Sequence, residues 1–424
     1  MEENSVLPCQ LNNDIRIDFM QMNTKYSFIT LWRLNDWGFY NRRNEALLWE
    51  LSRRDCVESV LHVEHVPLKG VIYKIWQWLR TKDVLLRKAV ELHIKKGLSL
   101  RPVKVNDKYY VFSVLELYSG KAPLLQNLSA WYRKLQYRSI NARCGGSEQR
   151  IVFIAYPPSP YLPCSIESIR HDVLIADIVD DEAARMSDAV GRRQLLENFR
   201  QVLPMCRWIF STSPSIHERY RESAGQGIDF IPNGVDVNAF SRAAGIKALS
   251  GRSQKLVGYV GAINSTLDME LLRYLVSQFA EVDFNIIGFC SRELLNDVQQ
   301  LARQHGNFHY LGARSYREVP VLLSGFDVLI SPKKADHMTV GNDSMKIYEY
   351  LATGKPVVTT PVAPANHFAD IIHVAAGKEE FADCLRLALE ENDEPRRRKR
   401  IEVSRENDWS RRVDVILDRV AVLS

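Results

Sequence analysis

The sequence predicts an α/β protein made of two Rossmann-like lobes with a cleft between them. Three observations predict it. The second half alternates apolar strands with helical patterns at short, regular spacing, the signature of a doubly wound parallel sheet. The strand ends there carry Gly261, Gly288, Gly312-Ala-Arg314 and Ser331-Pro-Lys333. Ligands of such sheets bind at those ends, and small residues let them approach the backbone, although any one glycine can equally serve a turn. Finally, 424 residues exceed one ordinary domain, and a hydrophobic content of 46% with 25% charged residues is enough for large cores.

In the first half, strands are expected at Ser27–Leu31, Val57–His65, Tyr109–Leu117, Arg150–Tyr156, Val173–Asp180, Trp208–Ser213 and Ile228–Pro232. Helices are expected over 40–53, 71–96, 124–140, 186–203 and 214–222. Ile231-Pro-Asn-Gly-Val-Asp236 closes this half with a turn, and the polar stretch 241–254 reads as a linker. The second half gives strands at Leu256–Ile263, Asp283–Phe289, Asn307–Gly312, Asp327–Pro332, Pro356–Pro361 and Ile371–Ala376. Helices near 268–280, 292–304, 316–324, 343–353, 364–369 and 378–390 separate or follow them. Pro395-Arg-Arg-Arg-Lys-Arg400 is a charge-rich helix start or turn. A last helix carries Trp409, Val413, Ile416, Leu417 and Val420 at helical spacing. The domains are therefore 1–240 and 250–407, followed by the helix 408–424.

The net charge of +5 is mild, and the chain shows no nucleic-acid-binding module, so a nucleic-acid partner is not expected. Seven scattered cysteines form no C-x-x-C pair, which signals neither a zinc site nor a disulfide framework and fits a reducing cytosol. The start, Met-Glu-Glu-Asn-Ser, has no apolar signal-peptide core, and no apolar run is long enough to span a bilayer. A cytoplasmic location is expected, with peripheral contact to the inner membrane face left open.

The most informative segment is Asn342-Asp-Ser-Met-Lys-Ile-Tyr-Glu-Tyr-Leu-Ala-Thr-Gly-Lys-Pro-Val-Val358. It reads as a loop, a helix capped by Asp343 or Ser344, a Gly354 turn and a buried strand. Lys346 and Glu349 share one helix face. A lysine in the first turn opposes the helix dipole, which points to a bound anion, and a helix N-terminus suits phosphate. Glu349, one turn deeper, could accept hydrogen bonds from ribose hydroxyls. An ordinary amphipathic helix with a solvated lysine is the alternative.

Further pieces follow one another along the chain: Val179-Asp-Asp181, Leu195-Leu-Glu197, Phe210-Ser-Thr-Ser213, Ile231-Pro-Asn-Gly-Val-Asp236, Gly258-Tyr-Val-Gly261, Tyr310-Leu-Gly312, Phe326-Asp-Val-Leu-Ile-Ser-Pro332 and Asn407-Asp-Trp409. With the segment above, this ordered set resembles the GT-B glycosyltransferases. The similarity is to bacterial polysaccharide enzymes of the teichuronic acid synthesis type, glycosyltransferase family 4 and the xanthan glucuronosyltransferase. The resemblance implies a GT-B fold, with a nucleoside diphosphate sugar (a UDP-sugar) bound by the second lobe and a glycan or polyprenyl-linked acceptor by the first. It implies that Lys346 contacts the diphosphate and Glu349 the ribose or donor sugar. Met345 would pack near the nucleotide, Gly312-Ala-Arg314 would meet the base through backbone groups, and the final helix would cross back to the first lobe. No cofactor and no metal are implied. Two positions depart from the pattern. Many retaining members carry a Glu eight positions before the helix Glu, where this chain has Gly341. The loop after Gly261, Ala262-Ile-Asn-Ser-Thr266, lacks the usual phosphate-binding cation, for which Lys333, Lys334 or Lys346 could substitute. Both departures leave the stereochemical outcome open, with a lean to inversion.

An inverting transfer needs a base for the acceptor hydroxyl as well as cations for the departing diphosphate. Asp180, Asp181 and Glu182 follow a predicted first-lobe strand, and Asp180 is the chosen base; either aspartate could instead cap the next helix. Arg42 or Arg43 could touch a phosphate or form a surface ion pair, and His337 could meet the donor or lie in solvent. Residues 69–108 hold eleven Lys/Arg against three Asp/Glu, interleaved with Trp76 and Trp78. That pattern fits contact with an anionic membrane surface or, equally, a solvated face over a core. Two other functions remain compatible with the pattern: a nucleotide-sugar 2-epimerase and a catalytically silent GT-B scaffold.

Overall fold

The computed structural model describes residues 24–32, 42–80, 87, 90–91, 94–95, 101–118, 122–143, 149–159, 161–186, 188–244, 254–336, 339 and 341–422. The loop 33–41, His337 and much of the basic segment between 81 and 100 lie outside the described residues.

Among the described residues the first domain is built on eight strands: β1 (Lys25–Trp32), β2 (Val57–Pro67), β3 (Val103–Lys104), β4 (Tyr109–Glu116), β5 (Gln149–Ala155), β6 (Val173–Ile178), β7 (Trp208–Ser211) and β8 (Asp229–Phe230). Their order is β3-β4-β2-β1-β5-β6-β7-β8, and only β3 is antiparallel to its neighbour. The second domain has six parallel strands, β9 (Lys255–Val260), β10 (Val282–Ile287), β11 (Phe308–Tyr310), β12 (Val328–Ser331), β13 (Val357–Thr359) and β14 (His373–Val374). They run in the order β11-β10-β9-β12-β13-β14, the doubly wound arrangement. The central strands read as continuous apolar runs because helices cover both faces of each sheet: Phe28, Ile29, Leu31, Val152 and Phe153 are all fully buried.

Among the described residues, the helices of the first domain with stated bounds are α1 (Arg43–Leu51), α2 (Leu68–Arg80), α3 (Pro123–Arg143), α4 (Leu162–Ser168), α5 (Glu182–Arg185), α6 (Ala189–Val202) and α7 (Pro214–Ala224). Helix α8 (Val237–Ala244) leads to the second domain, which holds α9 (Met269–Gln278), α10 (Arg292–Gln304), α11 (Val319–Ser324), α12 (Met345–Thr353), α13 (Lys378–Glu390) and α14 (Glu394–Glu406). The chain ends in α15 (Trp409–Ala421), whose Trp409, Val413, Ile416, Leu417 and Val420 bury in the first-domain core beside α1. Each such side chain contributes about 1.5–3 kcal/mol, so this helix fastens the second domain to the first. Its entry is stitched beside the other crossing: Val235 N–H donates to Asn407 O (3.0 Å) and Trp409 N–H to Val235 O (3.2 Å).

Several expected boundaries shift. The expected helix 71–96 begins at Leu68, directly on the end of β2, and its described residues are helical to Arg80 and again at 87, 90–91 and 94–95. The expected linker begins as helix, with Ser241 and Arg242 inside α8. The Pro395 run is a full helix because Asp393 caps it, accepting from Arg396 N, and Pro395 sits in its first turn. The expected helix 364–369 is a single 3-10 turn over Ala365–Phe368.

Candidate functional site

Both sheets reverse strand order between their first and fourth parallel strands, and the ends of those strands face one cleft. Trp32 at the end of β1 and Val179-Asp180 after β6 line it from the first domain. Gly261 after β9, Gly288 after β10, Ala313-Arg314 after β11, Lys333 after β12 and the start of α12 line it from the second. The cavity measures about 450 Å³.

Helix α12 begins there with Ser344 at its N-cap position, but no side chain caps it, contrary to the expected Asp343 or Ser344 cap. Asp343 turns away instead. Its carboxylate accepts from Asn233 N–H (2.5 Å) and from the Tyr348 hydroxyl (2.8 Å), while Asn233 Nδ2 donates to Asp343 O (2.8 Å). Its neighbours do likewise. Asp181 N–H donates to Asn342 Oδ1 (3.2 Å), and the Ser215 hydroxyl to Gly341 O (2.9 Å). The loop before α12 is therefore a seam between the domains, and its polar groups hold the domains together rather than the helix end. Burial pushes the Asp343 carboxyl up to about 6 despite the Asn233 and Tyr348 hydrogen bonds and the nearby Arg43 and Arg412. A Cβ at Gly341 would stand 2.6 Å from the Ser215 hydroxyl, so the first turn of α7 fills the place of the missing glutamate.

Lys346 stands over the ends of β9 and β10. Its Nζ donates to the Tyr259 hydroxyl (3.1 Å) and lies 4.4 Å from that ring's centre. Tyr259 in turn donates to Ala262 O (2.7 Å). Gly261 has φ +157, and a Cβ there would sit 2.3 Å from Lys346 Nζ, so only glycine leaves the ammonium its place. Burial draws the Lys346 pKa down to about 8, partly offset by Glu349. A cation so poorly solvated is poised to take an anion from the cleft.

Glu349, one turn deeper, is buried and accepts from the Tyr316 hydroxyl (2.9 Å). Burial raises its carboxyl, against the Tyr316 hydrogen bond and Lys346. Tyr316 was not among the sequence candidates. A capping box, Ser315 with Glu318, fixes its turn, and Ser-x-x-Glu at 315–318 was the available signal. Lys333 reaches back to the Thr266 hydroxyl (3.1 Å), bringing a cation to the loop after Gly261 that has none of its own. Gly312 adopts φ +73 and its carbonyl accepts from Gly288 N–H (3.0 Å). Arg314 is exposed at the cleft mouth, donating to Ala313 O (3.0 Å), and Met345 also lines the cleft.

On the first-domain side the aspartates diverge. Asp181 caps α5 through Ala184 N–H and accepts from Arg219 Nε (2.5 Å), so its carboxylate is structural. Asp180 lines the cleft. Arg43, expected either to touch phosphate or to pair at the surface, lines the cleft and pairs inside the fold. It is buried and grips Asp177 with Nε (2.8 Å) and Nη2 (3.1 Å), and donates from Nη1 to Pro232 O (2.9 Å). An aspartate inside the apolar strand Val173–Ile178 was the overlooked signal of that partner. Arg42 lines the cleft.

Residues 254–391 match the family described as Glycosyl transferases group 1. Over 259 residues the chain is 25% identical to the "Putative teichuronic acid biosynthesis glycosyltransferase TuaH" of Bacillus subtilis (strain 168), covering 56% of this chain and 64% of that protein. The chain thus spans under two thirds of that relative's length. Sucrose-phosphate synthase from Thermosynechococcus elongatus superposes with a TM-score of 0.68 at 11% identity, over 94% of this chain and 99% of that one. Anabaena Alr3699/HepE in complex with UDP and glucose gives 0.61 at 14% identity, over 93% and 99%. An E. coli structure titled as trehalose-6-phosphate, bound with UDP-2-fluoro glucose, gives 0.64 at 10%, over 92% and 98%. The chain therefore has the GT-B glycosyltransferase fold, and its second domain is a glycosyl transferases group 1 domain.

Proposed function

We propose that the protein transfers a sugar from a UDP-sugar to a hydroxyl of a glycan or polyprenyl-linked acceptor in cell-surface polysaccharide synthesis. The observation that carries this reading is Lys346, a desolvated cation at an uncapped helix start, seated on the glycine that makes room for it. The likeness to TuaH supports the polysaccharide role, and the UDP or UDP-sugar analogue bound in two structural neighbours supports the donor.

In this reading the diphosphate lies across the N–H groups of α12 and the ammonium of Lys346, with Lys333 beside it. Charge grows on the diphosphate as the glycosidic bond breaks, so a cation that is already in position and poorly solvated favours the transition state. Glu349 takes ribose or donor-sugar hydroxyls with the oxygen that Tyr316 leaves open. Asp180 removes the acceptor proton from the opposite wall. Gly312, Ala313 and Arg314 flank the base, and Met345 packs on the nucleotide.

The test is UDP release from a panel of UDP-sugars, with and without a lipid-linked or glycan acceptor. Acceptor-dependent UDP release supports transfer. Isomerisation of the free nucleotide sugar without acceptor would replace it with an epimerase.

A further inference from the structure

We propose that the first domain docks on an anionic lipid bilayer through α2 and α3 together. This deepens the reading above by naming the surface on which the acceptor is met, and it does not depend on the donor chemistry.

Soluble helices turn their apolar stripe inward, and these two do not. Ile72, Ile75, Trp76 and Leu79 on α2 follow the i, i+3, i+4, i+7 spacing of a buried stripe, yet all four are exposed, Leu79 by 69%. On α3, Leu124, Leu128, Trp131 and Leu135 stand at i, i+4, i+7 and i+11 on one face and are also exposed, Leu124 by 84%. Exposed apolar stripes on two helices, rather than scattered single residues, mark an interaction surface. Topology puts them at one edge. β2 and β4 are neighbours with Pro67 opposite Glu116; α2 starts at the next residue after β2, and α3 starts at Pro123, soon after β4 ends at Glu116. This is the end of the sheet at which Trp32 and Asp180 line the cleft.

Charge selects the occupant. Leu68–Arg80 carries Lys69, Lys74 and Arg80, and Pro123–Arg143 carries Arg133, Lys134, Arg138 and Arg143, with no acidic residue in either helix. Arg133 is engaged by Glu116 (2.7 Å). Lys69 and Arg80 on α2 and Lys134, Arg138 and Arg143 on α3 add cations to apolar stripes with a tryptophan in each, the composition of a helix lying in an anionic lipid interface. Arg80 already stacks 3.9 Å over the Trp76 ring. A second copy of the same face would bring like charges together, which disfavours self-association. Among the described residues no helix is long and apolar enough to cross a membrane, so this contact lies on the bilayer surface.

The test is sedimentation of the full chain with phosphatidylcholine vesicles and with vesicles containing phosphatidylglycerol, with and without high salt. The proposal expects binding to the anionic vesicles only, weakened by salt, with a blue shift of tryptophan emission. Lys69→Gln with Lys134→Gln should weaken it about 25-fold, roughly fivefold per cation. Trp76→Ser with Trp131→Ser should abolish it while the UDP-induced melting shift is kept, which separates this surface from the donor site. Equal binding to both vesicle types, no binding at low salt, or a dimer abolished by the tryptophan variant would each overturn it.

Discussion

Lys346 gives the site a pH dependence that follows from its burial. Its pKa in the empty cleft is about 8. A diphosphate against Nζ returns the solvation that burial removed and adds opposite charge, so the bound pKa rises and binding takes up a proton. With a free value near 8 and a bound value above ~10, apparent UDP affinity falls about tenfold between about pH 7 and pH 9, or about 1.4 kcal/mol. Near pH 8 each UDP bound should draw about half a proton from the buffer. Titration calorimetry in two buffers of different ionisation enthalpy measures that uptake directly. A pH titration of free UDP in the same buffers accounts for the nucleotide's own ionisation. Affinity that is level across this range in the wild type, or falls identically in the Lys346→Ala variant, would refute the assignment of the anion site to Lys346.

The same burial penalises the empty protein. A lysine whose folded pKa is depressed lowers stability below that pKa, and the penalty disappears as pH rises from about 8 towards its ordinary value of 10.5. Lys346→Met should therefore raise the apo melting point near neutrality, by about 1–3 kcal/mol in stability, and lose the response to UDP. Gly261→Ala pushes a methyl into the ammonium and should cost UDP binding about 1.5–3 kcal/mol by calorimetry, the value of a charge-assisted hydrogen bond. Asp180→Asn should lower kcat by about 10²–10⁴ with little change in UDP affinity, as loss of a general base requires. Arg43→Ala leaves Asp177 charged and buried, so denaturant unfolding should show a loss of about 3–5 kcal/mol.

The second domain was legible because its strands are short apolar runs punctuated by glycine, a local signal. Gly354 ends α12 in the left-handed region, as its place after the apolar pattern implies. The spacing of Trp409, Val413, Ile416 and Leu417 likewise revealed one apolar face, although not which core it enters. Contacts made across the fold were not legible. Asp343 beside a helix start reads as a cap, and only the seam shows Asn233 outcompeting the helix for its carboxylate. Arg43 reads as a surface cation until β6 places Asp177 against it. The apolar stripes of α2 and α3 show the reverse failure. Their spacing promises burial, and only the folded surface reveals that these side chains stay exposed.

The central claim is a nucleotide site at the start of α12, and ligand-induced melting tests it most directly. UDP, GDP, dTDP, ADP and CMP would be compared on the wild type and on Lys346→Ala. A ligand that binds only the folded state at about 100 times its Kd adds about 2.7 kcal/mol of stability, a readily measured shift. A rise with UDP in the wild type that vanishes in the variant is the expected result. No shift with any nucleotide, or an equal shift in both proteins, would contradict it.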